Sequence, residues 1–575
     1  MTPLRRIRRR AAGTSGAWPD HVLPLLRRVY AARGVADFAA ARPRLVDLHT
    51  PDTLTGITEA ARLLADAIAA GRRIVVVGDF DCDGATACAV AVRGLRMLGA
   101  REVLHAVPNR IVHGYGLSPG LVDELAALGP ELLVTVDHGI ACHAGIAAAK
   151  ARGWQVLVTD HHLPGPTLPA ADVIVDPNLP GDMFPSKTLA GVGVIFYVLL
   201  ALRGVLRARG AFVDAGPDLR VLLDLVAVGT VADLVALDAN NRALVAAGLQ
   251  RLRAGQGCAG LQALARVAGR EVSRLTAADI GYAIGPRLNA AGRLEDMSIG
   301  IECLLTDDAA RARELAQLLD RINAERRGVQ QTMVDEAEAA LTGRALDSVV
   351  SAGDPAVVLF DPEWHPGVVG LVASKLKERL HRPVVAFAPA EPGSRQLRGS
   401  ARSIPGFHIR DALAAVDAAR PGLIGRFGGH AMAAGLSLDL DALADFEQAF
   451  RAHAAGALDA ALLQAVIDSD GELAAHEFDH AHAQALRDGG PWGQAFPEPL
   501  FDGGFELLDV RCVGQRHLRL RLRVPERREP LDAIQFGGWE ARPDTSRVHL
   551  AYRLAPDDYR GNGAVQLVVE HLEPA

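Results

Sequence analysis

Between Arg73 and Asp176 the sequence alternates short runs of branched apolar residues with Ala-rich segments. IVVVG (Ile74 to Gly78), VLHAV (Val103 to Val107), LLVTV (Leu132 to Val136), VLVT (Val156 to Thr159) and VIV (Val173 to Val175) are the apolar runs; ATACAVAVRGLRMLG and ACHAGIAAAKARG lie between them. Strands that apolar are buried on both faces, so the pattern predicts a parallel sheet covered by helices, a doubly wound α/β domain. Such sheets bind ligands beyond the carboxyl ends of their strands.

That edge is where the acids collect. VVVGDFDCDGAT sets Asp79, Asp81 and Asp83 at alternate positions directly after a strand. Like charges this close repel, and Asp is a poor strand former, so a cation or a hydrogen-bond network has to compensate. LLVTV runs into Asp137-His138-Gly139 and VLVT into Asp160-His161-His162, while LLDLVAVGTVADLVAL, read as a further strand end, contributes Asp233. Carboxylates with added imidazole suit Mn²⁺, or Mg²⁺ in a mostly oxygen site. Two such ions about 3.5 to 4 Å apart share a carboxylate and activate water toward a phosphoryl group. The chemistry expected is metal-assisted hydrolysis of a phosphate ester or anhydride. An EF-hand reading of DFDCDG fails because its twelfth position is Val90 and a strand, not a helix, precedes it. No GxxxxGK phosphate loop occurs.

A length of 575 residues implies about three to four domains, and 49% hydrophobic with 22% charged residues is an ordinary globular composition. No apolar run is read as reaching the roughly 18 to 20 residues of a membrane span. The start MTPLRRIRRR is basic, but AAGTSGAWPDH is no secretory core; a transit peptide is the alternative to a cytoplasmic protein. Six cysteines without a CxxC pair suit a reducing compartment and argue against a thiolate zinc site. A net charge of -7 does not bear on nucleic acid, which local basic surfaces bind.

Leu189 to Leu252 reads as helical. From Thr306 an amphipathic pattern through Leu315, Leu318, Leu319, Ile322, Val329, Met333 and Ala337 predicts a helix of about ten turns bridging two domains. A second α/β segment carries VVLF and PVVAFA, a helical stretch runs from Leu440 to Ile467, and the part from about Phe505 is strand-like. In HLRLRLR the period of two puts His517, Arg519, Arg521 and Arg523 on one face, a basic surface for single strands or simply a charged exterior.

Further residues are candidates for holding phosphates. Arg110 follows a strand end, with His113 and Tyr115 near it; Arg287, Asn289 and Arg293 lie in GPRLNAAGRL, read as a tight turn flanked by guanidiniums. His365 in HPGVVGLVASKL precedes a helix whose N–H groups can face an anion, and Ser400, Arg402, Gly429 and His430 add hydroxyl, guanidinium, close backbone approach and imidazole. Surface pairing of the arginines and turn roles for the glycines are the competing readings.

DFDCDG, VDHG, TDHH and GTVADLVAL resemble the motifs of the DHH phosphoesterase superfamily, named for Asp-His-His, here Asp160-His161-His162. NRIVHGYGLS, GPRLNAAGRL, GSARSIPGFHI and GGHAMAAGLSL, in that order, narrow the resemblance to its bacterial exonucleases specific for single-stranded DNA, from near Arg27 to the C-terminus. Phe80 and Cys82 depart from the usual Tyr and Ala, without loss of a ligand. The resemblance implies that Asp83, Asp137, His161 and Asp233 hold one Mn²⁺ or Mg²⁺. Asp79 and Asp81, with Asp137 shared, would hold the second, Asp79 either ligating or fixing a ligand. His162 would face the scissile phosphate, making His162, Asp137 and His161 the catalytic group, and Arg110 and Arg287 would clamp the terminal 5′ nucleotide.

It also implies an N-terminal segment (1–50) packed on the core, a DHH catalytic domain (51–305), a connecting helix (306–345), a DHH-associated substrate domain (346–455) and an OB-like domain (456–575). The expected function is 5′-to-3′ exonuclease action on single-stranded DNA in repair and recombination, yielding 5′-mononucleotides. The resemblance implies a monomer without membrane contact, with single-strand-binding protein and a RecQ-type helicase as partners. Relatives acting on short oligonucleotides or cyclic dinucleotides lack the C-terminal β-domain. An inactive single-strand binder would not keep Asp81, Asp83, Asp137, His161, His162 and Asp233 intact.

Overall fold

The computed structural model describes residues 5–575 except 15, 110–112, 114, 115, 344–353, 365, 367, 368, 430, 540, 541, 558, 559, 561 and 562; at 294, 329, 330 and 333–343 it describes the backbone alone. The five apolar runs form a sheet in the order Val103–Ala106, Ile74–Val77, Leu132–Val136, Gln155–Thr159, Val173–Val175, and every neighbouring pair is parallel. Ile74–Val77 and Leu132–Val136 are buried at every residue, as strands covered on both sides must be. All strands end at the same edge, with Leu132–Val136 in the middle.

Two sequence expectations change here. The run before Asp233 is a helix, Leu223–Ala232, with Asp233 as its C-cap residue. Helix Gly191–Ala208, with mean hydropathy 1.7, is long and apolar enough to cross a membrane, against the expectation that no run would be; 61% of it is buried within the fold. Its packing partners include helices Ile57–Ala69 and Cys82–Met97.

The long helix spans Ala309–Gly343, 35 residues, or about 52 Å at 1.5 Å per residue. Leu315, Ala316 and Leu319 bury its first turns in the apolar core of the parallel-sheet unit. Beyond it a mixed sheet in the order Arg426–Gly429, Ala433–Asp439, Gln396–Arg402, Val384–Pro389, Val357–Phe360 carries its own apolar core. The stretch expected to be helical to Ile467 ends as helix Leu443–Ala457, and Val466–Ser469 is a strand paired in parallel with Arg6–Arg9.

Phe501–Val513, His517–Arg523, Leu531–Gln535, Val565–Pro574 and Arg547–Pro556 close into a barrel in that order. The barrel shares one continuous apolar core with the N-terminal helices and the helices around the parallel sheet. Aromatic rings join them: Trp18 stacks on Tyr30 at 5.6 Å, Tyr30 meets Trp492 at 5.9 Å, and Trp492 stacks on Phe496 at 5.1 Å. Arg33 grips Asp470 with two bonds of 2.8 and 2.9 Å, both side chains almost fully buried.

Candidate metal centre and nucleic-acid interface

The strand that ends at Val77 turns directly into helix Cys82–Met97, so Asp79 lies in the turn, Asp81 is the N-cap and Asp83 sits in the first turn. Asp81 accepts the Gly84 N–H at 3.0 Å. Asp83 is fixed from another direction: the N–H groups of Gly191 (2.6 Å) and Val192 (3.1 Å), at the start of helix Gly191–Ala208, donate to its two oxygens. A helix N-terminus favours a carboxylate there. Gly191 is required for this approach, because a Cβ on it would lie 2.5 Å from the Asp137 Cβ. Asp137 itself has a φ of 65°, a left-handed backbone that a side chain other than glycine rarely adopts, at the end of the central strand.

Among the described residues three candidate ligand groups result, with donor atoms within 4.8 Å of one another in each: Asp79, Asp81 and Asp137; Asp83, His161 and Asp233; Asp137, His161 and His162. Asp137 and His161 each belong to two groups and stand 3.1 Å apart, so the groups fuse into one centre. The resemblance implied Asp83, Asp137, His161 and Asp233 for one ion and Asp79, Asp81 and the shared Asp137 for the other; the structure brings Asp79, Asp81 and Asp137 together and Asp83, His161 and Asp233 together.

The electrostatics fit divalent cations. Burial, then the charge of Asp81, pushes the carboxyls of Asp79 and Asp83 up to about 7, and burial, then Asp83, pushes Asp233 up to about 8. Burial and the four surrounding aspartates raise Asp137 well above the usual range. Asp79 Oδ1 is buried without a hydrogen-bond partner. A cluster of carboxylates that hold protons this tightly, with an orphaned oxygen among them, suits a cation that replaces the protons. Asp160 has a different part: it accepts from the backbone of Ile140, His161 and His162 and from His162 Nδ1. Sequence reasoning left Asp160 out of the site, although the Asp-His-His order itself signals it. His138, buried and donating toward the Val77 carbonyl at 3.1 Å, is pushed down to about 4 by burial, which keeps it neutral and structural.

GPRLNAAGRL is not a turn. It forms helix Gly285–Leu294, and the helix packs on the loop that carries Asp79 and Asp81, where Asn289 Oδ1 accepts the Cys82 N–H at 2.8 Å and Gly292 lies against the Phe80 carbonyl. Arg287 is nearly buried and bound to Asp320 of the long helix and to the Ala283 carbonyl; Arg293 is exposed. His113 is tied to its own loop, accepting from the Asn109 N–H at 3.1 Å and meeting Glu124 at 2.9 Å. Ser400 and Arg402 share a strand, Arg402 donating to the Ser400 and Ser374 hydroxyls, and Gly429 with a φ of 146° is two strands away. Arg110, Tyr115, His365 and His430 lie outside the described residues.

On the barrel, Arg519, Arg521 and Arg523 do point outward, alternating with buried leucines. The face is not purely basic, because Asp532 pairs with Arg519 and Glu506 with Arg523, both at 3.2 Å. A larger feature went unseen in the sequence. A 1510 Å³ cleft runs from Leu234 and Asn289 beside the metal centre to Arg553 on the barrel, lined on its way by Tyr282, Arg42, Arg253 and Arg487. Leu234 and Tyr282 are 71% and 86% exposed there, and Tyr282 lies in a π-helical turn, Ile280–Ile284, of a kind often found at functional sites.

A parallel sheet with fused carboxylate–imidazole groups at its carboxyl edge, a second α/β domain and a closed barrel define a phosphoesterase of the DHH class. The DHH family N-terminal domain matches residues 73–230, the DHHA1 domain 353–456 and the RecJ OB domain 469–571. The chain belongs to the RecJ family. It is 50% identical to the single-stranded-DNA-specific exonuclease RecJ of Dickeya dadantii over 100% of both chains, and 48% identical to that of Escherichia coli over 99% of each. The crystal structure of RecJ in complex with Mn²⁺ from Thermus thermophilus matches with a TM-score of 0.77 at 32% identity, covering 98% of this chain and 80% of that one; the Mg²⁺ complex matches with 0.72.

Proposed function

We propose that this chain is a two-metal exonuclease acting in the bacterial cytoplasm, in repair and recombination. It would remove 5′-mononucleotides from the 5′ end of single-stranded DNA, with single-strand-binding protein and a RecQ-type helicase as partners. The observation that carries the reading is the fusion of the three ligand groups through Asp137 and His161.

Asp83, His161, Asp233 and Asp137 would hold one cation, and Asp79, Asp81 and Asp137 the other. So held, Mn²⁺ or Mg²⁺ polarises phosphoryl oxygens and makes the attacking water acidic. The remaining work falls to the protein. Asp160 keeps His162 cationic, and His162 brings that charge to the phosphate, where it stabilises the oxygens as negative charge builds on them. Gly191 and Val192 hold Asp83 in position. Arg287 reaches the 5′ phosphate by exchanging Asp320 for it, and Arg110 is assigned to the same phosphate by the family resemblance alone. The cleft past Tyr282 toward the barrel is the path of the strand, with Tyr282 and Leu234 as stacking surfaces and guanidiniums along the backbone. On this reading residues 51–305 are catalytic, 346–455 hold substrate phosphates and 456–575 extend the strand-binding surface.

The test is digestion of a 5′-labelled single strand with Mn²⁺. Release of labelled mononucleotide, with a blunt duplex left intact, is expected. Degradation from the 3′ end, or none in the presence of metal, contradicts the reading.

A further inference from the structure

The peptide that links His161 to His162 is held on both sides. Its N–H donates to Asp160 Oδ1 at 3.1 Å, and its carbonyl accepts from Asn178 Nδ2 at 2.6 Å. A peptide unit is planar with N–H and C=O on opposite edges, so the two bonds fix the plane and, with it, the direction in which the imidazoles leave the chain. His161 Nε2 thereby stands 3.1 Å from Asp137 and 3.6 Å from Asp233. The Asp160 side of this grip belongs to the acid–histidine pair described above. The Asn178 side has no part in that chemistry.

Asn178 stands three residues past strand Val173–Val175, at the start of a segment that ends in Gly191 and Val192. Lys187 closes the first part of it, donating to the Pro177 and Asp182 carbonyls, both at 2.7 Å, and to Asp182 Oδ1 at 2.6 Å. Asn241 Nδ2 secures the next part, donating to the Thr188 carbonyl at 2.6 Å and, at 2.9 Å, to the carbonyl of Ala236, three residues beyond Asp233. The N–H groups of Gly191 and Val192 then hold Asp83. One segment thus meets the chain at Asp83, at His161 and just past Asp233, the three residues of one candidate ligand group.

The group of Asp79, Asp81 and Asp137 has its own support. Asp81 accepts from Gly84 within its own turn, and Asn289 of helix Gly285–Leu294 holds that turn through the Cys82 N–H. A change at Asn178 therefore acts on one group through His161.

We propose that Asn178 is a positioning residue for the cation of the Asp83, His161 and Asp233 group: its side-chain N–H, on a loop braced by Lys187, holds the His161 carbonyl so that the imidazole keeps its place among the ligands. The inference rests on the two-cation reading of the centre. Its test is equilibrium dialysis of Mn²⁺, with no DNA present, against the full chain and its variants. Two ions per parent chain are expected. In Asp81→Ala, which leaves the Asp83, His161 and Asp233 group whole, adding Asn178→Ala should weaken the retained ion about 10- to 100-fold. In His161→Ala, where there is no imidazole to direct, adding Asn178→Ala should change Mn²⁺ binding no further. A general structural role would lower Mn²⁺ binding in both backgrounds; that result, or unchanged binding in the Asp81→Ala background, would overturn the proposal. Fewer than two ions on the parent chain would overturn the two-cation reading itself and this proposal with it.

Discussion

His162 Nδ1 lies 2.7 Å from Asp160 Oδ1, and the same oxygen accepts the backbone N–H groups of His161 and His162. Burial opposes charge on both partners, yet the bond outweighs it: His162 is pushed up to about 9, and the Asp160 carboxyl is held well below the usual range. The imidazolium is therefore present below about pH 9 and lost above it. Asp160→Asn should lower kcat about 10- to 100-fold and move the alkaline limb of the pH–rate profile toward the ordinary histidine value of about 6.5. An unchanged alkaline limb would assign that limb to another group.

The ligand carboxyls make a prediction of the opposite sign. Asp79, Asp83 and Asp233 are raised to about 7, 7 and 8, against roughly 3.9 in an unfolded chain. Their contribution to the stability of the metal-free chain is complete below about pH 4 and is lost as pH rises through 7 to 8. Mn²⁺, which competes with those protons, should raise Tm more at pH 8 than at pH 6 relative to EDTA. Thermal melts at the two pH values check this, and an equal or smaller shift at pH 8 would contradict it.

Tyr282 stands 86% exposed in the large cleft. Stacking of one base on an aromatic ring contributes about 1–3 kcal/mol, so Tyr282→Ala should weaken single-strand binding about 5- to 150-fold. Tyr282→Phe should restore it. Fluorescence anisotropy with a labelled oligonucleotide distinguishes this from a ring that never meets DNA, for which both variants bind like the parent.

How much of this was legible follows from where each signal sits. Asp81, Asp83, Asp137 and His161 could be read because each directly follows an apolar strand or its turn, and chain order at a sheet edge is nearly spatial order. Asp233 could be read as a ligand but not as a helix cap. Leu223–Ala232 is buried round nearly its whole circumference, so no 3.6-residue period marks it as a helix. The period of two in His517–Arg523 gave the outward face correctly. The acids that neutralise it, Glu506 and Asp532, lie on neighbouring strands, and only register brings them there. Arg287 was recognisable as a cation, while its partner Asp320 comes from the long helix. The contact of Tyr30 with Trp492, which docks the barrel, joins rings with no shared sequence pattern.

The Arg33–Asp470 pair is the polar counterpart of that docking. Both side chains are at most 2% exposed, and Arg33 also donates to the Pro497 carbonyl at 2.8 Å. Arg33→Ala leaves Asp470 as a buried charge with poor compensation and should cost about 3–5 kcal/mol. Denaturant unfolding monitored by tryptophan fluorescence measures it, and a loss within about 0.5 kcal/mol would show that the pair is not structural.

The central claim is that Asp137 joins two cation sites into one hydrolytic centre. Equilibrium dialysis of Mn²⁺ against the parent chain and Asp137→Ala, with exonuclease rate measured on the same samples, tests it most directly. The account predicts two ions per parent chain, fewer in the variant, and turnover abolished with single-strand binding kept. Unchanged ion count and turnover in Asp137→Ala would contradict it.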